Sequence, residues 1–166
     1  MDNYKFITGK QSTINLAIPK NSPYLLFHPK TQHITYKDNA NFVIGEKNPK
    51  GINLQPRIEG GQIVADYTFL PEHVGPPGMA HGGALAAVCD DVMGLACFCT
   101  DNVAMTINLN VNYIQPVTLG DRHFIKAWVV DISDKIITCE SIISNTNAIC
   151  VEATGLFYLI DPNATS

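Results

Sequence analysis

Between His81 and Cys99 the chain reads H-G-G-A-L-A-A-V-C-D-D-V-M-G-L-A-C-F-C, and Asp90 and Asp91 are its only acidic groups. A segment apolar on all sides forms a helix that is buried nearly all round, so the remaining chain has to wrap it. Gly75, Pro76, Pro77 and Gly78 exclude regular structure just ahead, which places the helix start at His81-Gly82-Gly83. Spacing residues at 100° puts Leu85, Val88, Cys89, Val92, Ala96 and Cys99 on a core face. Asp90 falls with Gly83, Ala86, Ala87 and Gly94 on a stripe of small residues that a ligand or a second subunit can approach. Asp91 points a further step round, toward Leu95 and Phe98.

The helix start invites anion chemistry. Its first N–H groups lack intrahelical partners and carry the positive end of the macrodipole. Gly82 and Gly83 have no side chains to block approach, so their amides can face a developing oxyanion. Asp90 lies about two turns on, roughly 10 Å along the axis, too far to meet a carbonyl held at its own helix start. Two antiparallel helices from two subunits would bring the features together.

The flanking segments read as strands. Ile52 to Ile58 and Gln62 to Phe69 flank the turn Glu59-Gly60-Gly61, with Pro56 marking the first as an edge or irregular strand. Val103, Met105, Ile107, Leu109, Val111 and Tyr113 alternate with Ala104, Thr106, Asn108, Asn110 and Asn112. The first set is expected to face a core, and the second to face water, a subunit or a ligand. Phe124 to Asp131, Lys135 to Ser144 and Ile149 to Ile160 supply three more strands. The class is therefore α+β, an antiparallel sheet wrapped around one long central helix.

A length of 166 residues allows one domain with a substantial core, and a net charge of −4 argues against nucleic acid as a partner. The five cysteines have no paired spacing and read as reduced, buried thiols, not as a disulfide framework or a zinc site. Met1 to Lys10 has no apolar leader and no run of eighteen apolar residues occurs, so no membrane span and a cytoplasmic location are expected. Residues 1–41, interrupted by Pro19, Pro23 and Pro29, read as an extension packed on the domain, with a lid over an acyl pocket as the alternative; residues 42–166 form the domain itself.

Several motifs together resemble the hotdog-fold acyl-CoA thioesterases of the phenylacetate-pathway type. These are the H-x-G-x-P-G loop from His73, His81-Gly82-Gly83 with an acid nine residues after the histidine, N-P-K-G-I-N-L from Asn48 to Leu54, and N-Y-I-Q-P-V-T-L-G-D from Asn112 to Asp121. The likeness covers roughly residues 42 to 160. Where such thioesterases often show C-F-x-C-G, this chain has Asn41-Phe42-Val43-Ile44-Gly45, without thiols. The resemblance implies the hotdog fold and hydrolysis of an acyl-CoA thioester by a homodimer or dimer of dimers, with no metal or other cofactor. It assigns the acid to Asp90, with burial raising its basicity, and leaves Asp91 as a structural or inter-subunit acid. It places Thr106, seven residues before Tyr113, as an assisting hydroxyl. His81 either orients the thioester or fixes the turn, and His73 joins Gly82 and Gly83 as a substrate-side candidate. From its residues alone Thr106 is equally a β-branched strand former. A non-catalytic acyl-CoA-binding module on the same fold is the alternative function.

Overall fold

The computed structural model describes residues 14–19 and 22–161. Residues 1–13 of the expected extension, and 162–166 of the expected domain, lie outside the described residues. The helix α1 spans Gly82–Phe98, seventeen residues. The strands are β1 (Leu25–Phe27), β2 (Ile34–Tyr36), β3 (Arg57–Glu59), β4 (Gln62–Thr68), β5 (Ala104–Tyr113), β6 (Arg122–Ser133), β7 (Ile136–Ser144) and β8 (Ile149–Leu159). Strands β1 and β2 pair in a small sheet of their own, and the other six follow the order β3-β4-β6-β7-β8-β5. Every pairing is antiparallel. The sheet curls round α1, so the hotdog architecture expected from the resemblance is the one observed.

Turn chemistry accounts for the strand ends. Gly60 and Gly61 take positive φ between β3 and β4, and Asp134 takes φ 52° between β6 and β7. Asn145 accepts from the Asn147 and Ala148 amides with its side-chain carbonyl, closing the turn into β8. The run 52–56 does not extend β3. Its amides at Ile52 and Leu54 bond back to Phe42 and Val43, and the Pro56 carbonyl accepts from Ile34, so this segment is stitched to the N-terminal part of the chain.

The core face read from the helical spacing is buried throughout: Leu85, Val88, Cys89, Val92, Ala96 and Cys99. Met93, Leu95 and Cys97 are buried too. Leu16, Leu25, Ile34, Val43, Ile44, Ile52 and Leu54 join the same core cluster, so the N-terminal segment covers the flank of α1 that the sheet leaves open. All five cysteines are free and buried, and burial pushes the Cys89 and Cys99 thiols up to about 12.

One expectation fails at β5. The alternating apolar set does not face the core as a block: Met105 is 62% exposed and Ile107 57%. The reason is twofold. β5 is an outer strand of the sheet, and its register against β8 shifts between Thr106 and Asn108, a bulge at Ile107. The extra residue reverses the alternation. Thr106, opposite Phe157, thereby shares the inward side with Leu109, opposite Gly155, and Val111, opposite Ala153.

The helix crosses β8 where Gly155 gives room. A Cβ there would lie 2.5 Å from the Phe157 ring and 3.1 Å from the Met93 methyl. Gly155→Ala should therefore cost about 1–3 kcal/mol through overpacking. Urea denaturation of the two proteins checks this, and equal midpoints would show that Phe157 yields freely.

Candidate active site

The loop 74–80 delivers the helix start. Val74 bridges Ala80 and Met79 bridges Thr118. The Ala80 amide donates to Val117 and the His81 amide donates to the His73 carbonyl at 2.7 Å. His81 is the N-cap, in extended geometry, and its Nδ1 accepts from the Gly83 amide at 2.9 Å. That bond requires a lone pair on Nδ1, so the capping ring is the neutral form with its proton on Nε2.

The two glycine amides are consequently not equivalent. Gly83 N–H is already satisfied by His81, which corrects the reading that both amides are open to substrate. Gly82 N–H has no partner among the described residues, and the Ala84 and Leu85 amides turn back to the His81 carbonyl. The donor left for an incoming carbonyl oxygen is Gly82. His73 is tied up as well: its Nδ1 accepts from the Leu70 amide at 3.0 Å, and its ring packs 6.0 Å from the Phe69 and Tyr67 rings.

Two clefts flank this start. One, about 650 Å³, is lined by His73, Val74, His81, Gly83, Phe42 and Lys50. The other, about 330 Å³, is lined by Met79, Gly82, Leu85, Tyr113, Ile114 and Pro116. Among the described residues no group of three His, Cys, Asp or Glu side chains is placed to hold a metal ion, and no helix is long and apolar enough to cross a membrane.

Further along α1 the adjacent acids have different surroundings. Asp90 is half-buried, and its Oδ1 accepts from the Thr106 hydroxyl at 2.8 Å. The β5 bulge makes this bond possible, because strict alternation would have turned Thr106 away from the side it shares with Leu109. Asp90 Oδ2 is left for other work. Asp91 instead meets the N-terminal segment: its Oδ1 accepts from Asn41 Nδ2 at 3.0 Å, while Asn41 Oδ1 accepts from the Val43 and Ile44 amides. Asp91 Oδ2 is buried without a partner. Desolvation pushes this carboxyl up to about 6, against the Asn41 hydrogen bond that lowers it. Burial first, and Asp91 second, hold the neighbouring Tyr36 hydroxyl protonated well above its ordinary range.

Asp90 and Thr106 come together within one chain. His73, His81, Gly82 and Gly83 form a second group, which eight residues of helix separate from Asp90 by about 12 Å. Two contacts were not legible in the sequence: Asn41 on Asp91, fifty residues away, and a hydrogen bond from the Tyr113 hydroxyl to the Gly82 carbonyl at 2.8 Å. Tyr113 belonged to the recognised Y-x-x-P stretch, but nothing local tied it to the glycines.

The model of the thioesterase superfamily matches residues 77–149, from the loop before α1 to the start of β8. Acyl-coenzyme A thioesterase THEM4 of Bos taurus is 34% identical over 94 residues, 55% of this chain and 38% of that protein. The chain thus spans about two-fifths of the length of that relative. A thioesterase superfamily protein of known crystal structure superposes with a TM-score of 0.69 at 25% identity, covering 72% of this chain and 60% of that one. A Streptococcus mutans protein crystallised with acetyl CoA shares the fold with a TM-score of 0.61 at 23% identity, over 65% and 89% of the two chains.

The raised Asp91 carboxyl has a stability consequence. The folded protein holds this proton more tightly than the unfolded chain does, so the Asp91 contribution is fully present below about pH 4 and is lost as pH rises through about 6. At pH 8 the buried anion should cost on the order of 2–3 kcal/mol. Asp91→Asn should raise stability at pH 8 and leave it nearly unchanged at pH 4. Denaturation midpoints across that range check the difference; a constant gap between the two proteins would contradict it.

Proposed function

We propose that the chain, which matches the thioesterase superfamily model over residues 77–149, hydrolyses an acyl-CoA thioester to a free acid and CoA. The observation that carries the reading is the Thr106–Asp90 hydrogen bond, an acid on an otherwise apolar helix oriented by a hydroxyl from the strand that follows. The unpartnered Gly82 amide at a helix N-terminus supplies the complementary feature, a donor for an oxygen that gains negative charge. The relative named an acyl-coenzyme A thioesterase, and the neighbour crystallised with acetyl CoA, support the acyl-CoA class.

In this mechanism the thioester carbonyl oxygen accepts from Gly82 N–H of one subunit. Asp90 of a second subunit takes a proton from water as the hydroxyl adds to the carbonyl carbon, and Thr106 holds the carboxylate through Oδ1 so that Oδ2 faces the water. Collapse breaks the C–S bond and releases the CoA thiolate, which regains a proton, with the carboxylic acid as the second product. The alternative is direct attack by Asp90 to form a mixed anhydride that water then cleaves. Single-turnover hydrolysis in ¹⁸O water separates the two, since only the anhydride route leaves label in Asp90.

A two-subunit site follows from the separation of Gly82 and Asp90, and β5 offers a means of assembly. Its outward side carries Met105 and Ile107, both more than half exposed. An unprotected apolar edge is a template for pairing, and pairing with the same strand of a second copy gives an isologous dimer, alone or within a dimer of dimers.

Asp90→Asn should lower kcat by about 10² or more with little change in KM, because it removes the group that accepts the proton while keeping its shape. Thr106→Ala should lose less, about 10-fold, and Asp91→Asn should retain most activity. Steady-state rates on a panel of acyl-CoAs provide the readout; wild-type rates in all three variants would favour a non-catalytic acyl-CoA-binding module.

Ile107→Lys should place like charges across the shared edge, giving a folded monomer without turnover. Sedimentation alongside activity tests it, and an active monomer would remove the shared site.

A further inference from the structure

We infer that Tyr113 is a positioning residue for the proposed hydrolysis: its hydroxyl and the His81 imidazole clamp the Gly82–Gly83 peptide from both ends and so aim the free Gly82 amide. The inference rests on the thioesterase reading and adds a residue to it.

Two consecutive glycines have a wide choice of backbone angles, and a helix start lacks the intrahelical bonds that would limit them. A donor that stabilises an oxyanion must be in place before charge develops. Something outside the helix therefore has to fix this turn. Tyr113 Oη donates to the Gly82 carbonyl at 2.8 Å, and the Gly83 amide of the same peptide unit donates to His81 Nδ1 at 2.9 Å. The preceding peptide is held through its own carbonyl, where His81 O accepts from Ala84 at 3.0 Å and from Leu85 at 3.2 Å. With both units pinned, Gly82 N–H points one way.

The phenol lies against the glycine as well as bonding to it. A Cβ on Gly82 would sit 3.4 Å from both Cζ and Oη of Tyr113, and the two residues line the same 330 Å³ cleft. Tyr113 is more than half exposed, so its hydroxyl had water as an alternative partner and takes the carbonyl instead. Burial raises the phenol from its ordinary value, which keeps it an O–H donor at neutral and mildly alkaline pH. Thr106 and Tyr113 both belong to β5, so this one strand orients the acid and the amide of α1.

Tyr113→Phe retains the ring and deletes only the hydroxyl. The experiment measures amide hydrogen exchange from Gly82 to Leu85, the melting temperature, and kcat and KM on the best acyl-CoA. Exchange at Gly83 should accelerate about 10-fold while the middle of α1 keeps its protection and the melting temperature stays within about 2 °C. A fall in kcat of about 10-fold, with KM within about twofold, should accompany it, because a misaimed donor weakens the transition state more than the ground state. A role confined to stability would lower the melting temperature and spare kcat. Unchanged kcat, or unchanged exchange at Gly83, in an active wild-type background overturns the inference alone. A wild-type protein inert on every acyl-CoA overturns the thioesterase reading and this role with it.

Discussion

A carboxylate on a helix with scarcely a polar face has to find its partners outside that helix, and α1 carries two in succession. The fold meets this demand from opposite directions. Thr106 comes from the strand after the helix and Asn41 from the segment before it, so the two acids tie together parts of the chain that share no local structure. The outcomes differ because the partners differ. Asp90 receives one hydroxyl and stays within reach of solvent, whereas Asp91 is enclosed with one oxygen unsatisfied. Adjacent positions on one helix thereby become an accessible acid and a buried structural one.

The same division appears at the helix start. Four orphan amides are expected there, and the fold spends them unequally. His81 donates its own amide to the His73 carbonyl, takes Gly83 with its side chain and Ala84 with its carbonyl, which leaves Gly82 alone. The histidine thus acts through the backbone: by occupying one donor it selects the other. The imidazole thus fixes the turn through the Gly83 amide, and the amide it leaves open is a main-chain group that no side-chain pattern could specify.

Strand β5 links these two arrangements. An interior strand would have had its register dictated by two neighbours; β5 is an outer strand, with β8 as its sheet partner among the described residues. That freedom accommodates the bulge at Ile107, which turns Thr106 inward and leaves Met105 and Ile107 facing out. The irregularity that brings Thr106 to Asp90 also leaves Met105 and Ile107 exposed on an outer strand.

Much of this was written in local patterns. The absence of polar residues from α1 required enclosure, the glycine-rich turns separated the strands, and the helical spacing picked out Leu85, Val88, Cys89, Val92, Ala96 and Cys99 as core. Those readings hold because periodicity and turn chemistry act over a few residues and survive whatever the rest of the chain does. The sequence also separated Asp90 from Asp91 by direction, since a 100° step is geometry. What each acid meets in that direction depends on residues 16 and 50 positions away, and only packing brings them there. A bulge is a property of two paired strands and leaves no mark in the alternation of one, so Thr106 read as facing away from Leu109 until β8 set the register. The free amide at Gly82 and its clamp by Tyr113 belong to the same class, contacts decided when sheet and helix close on each other.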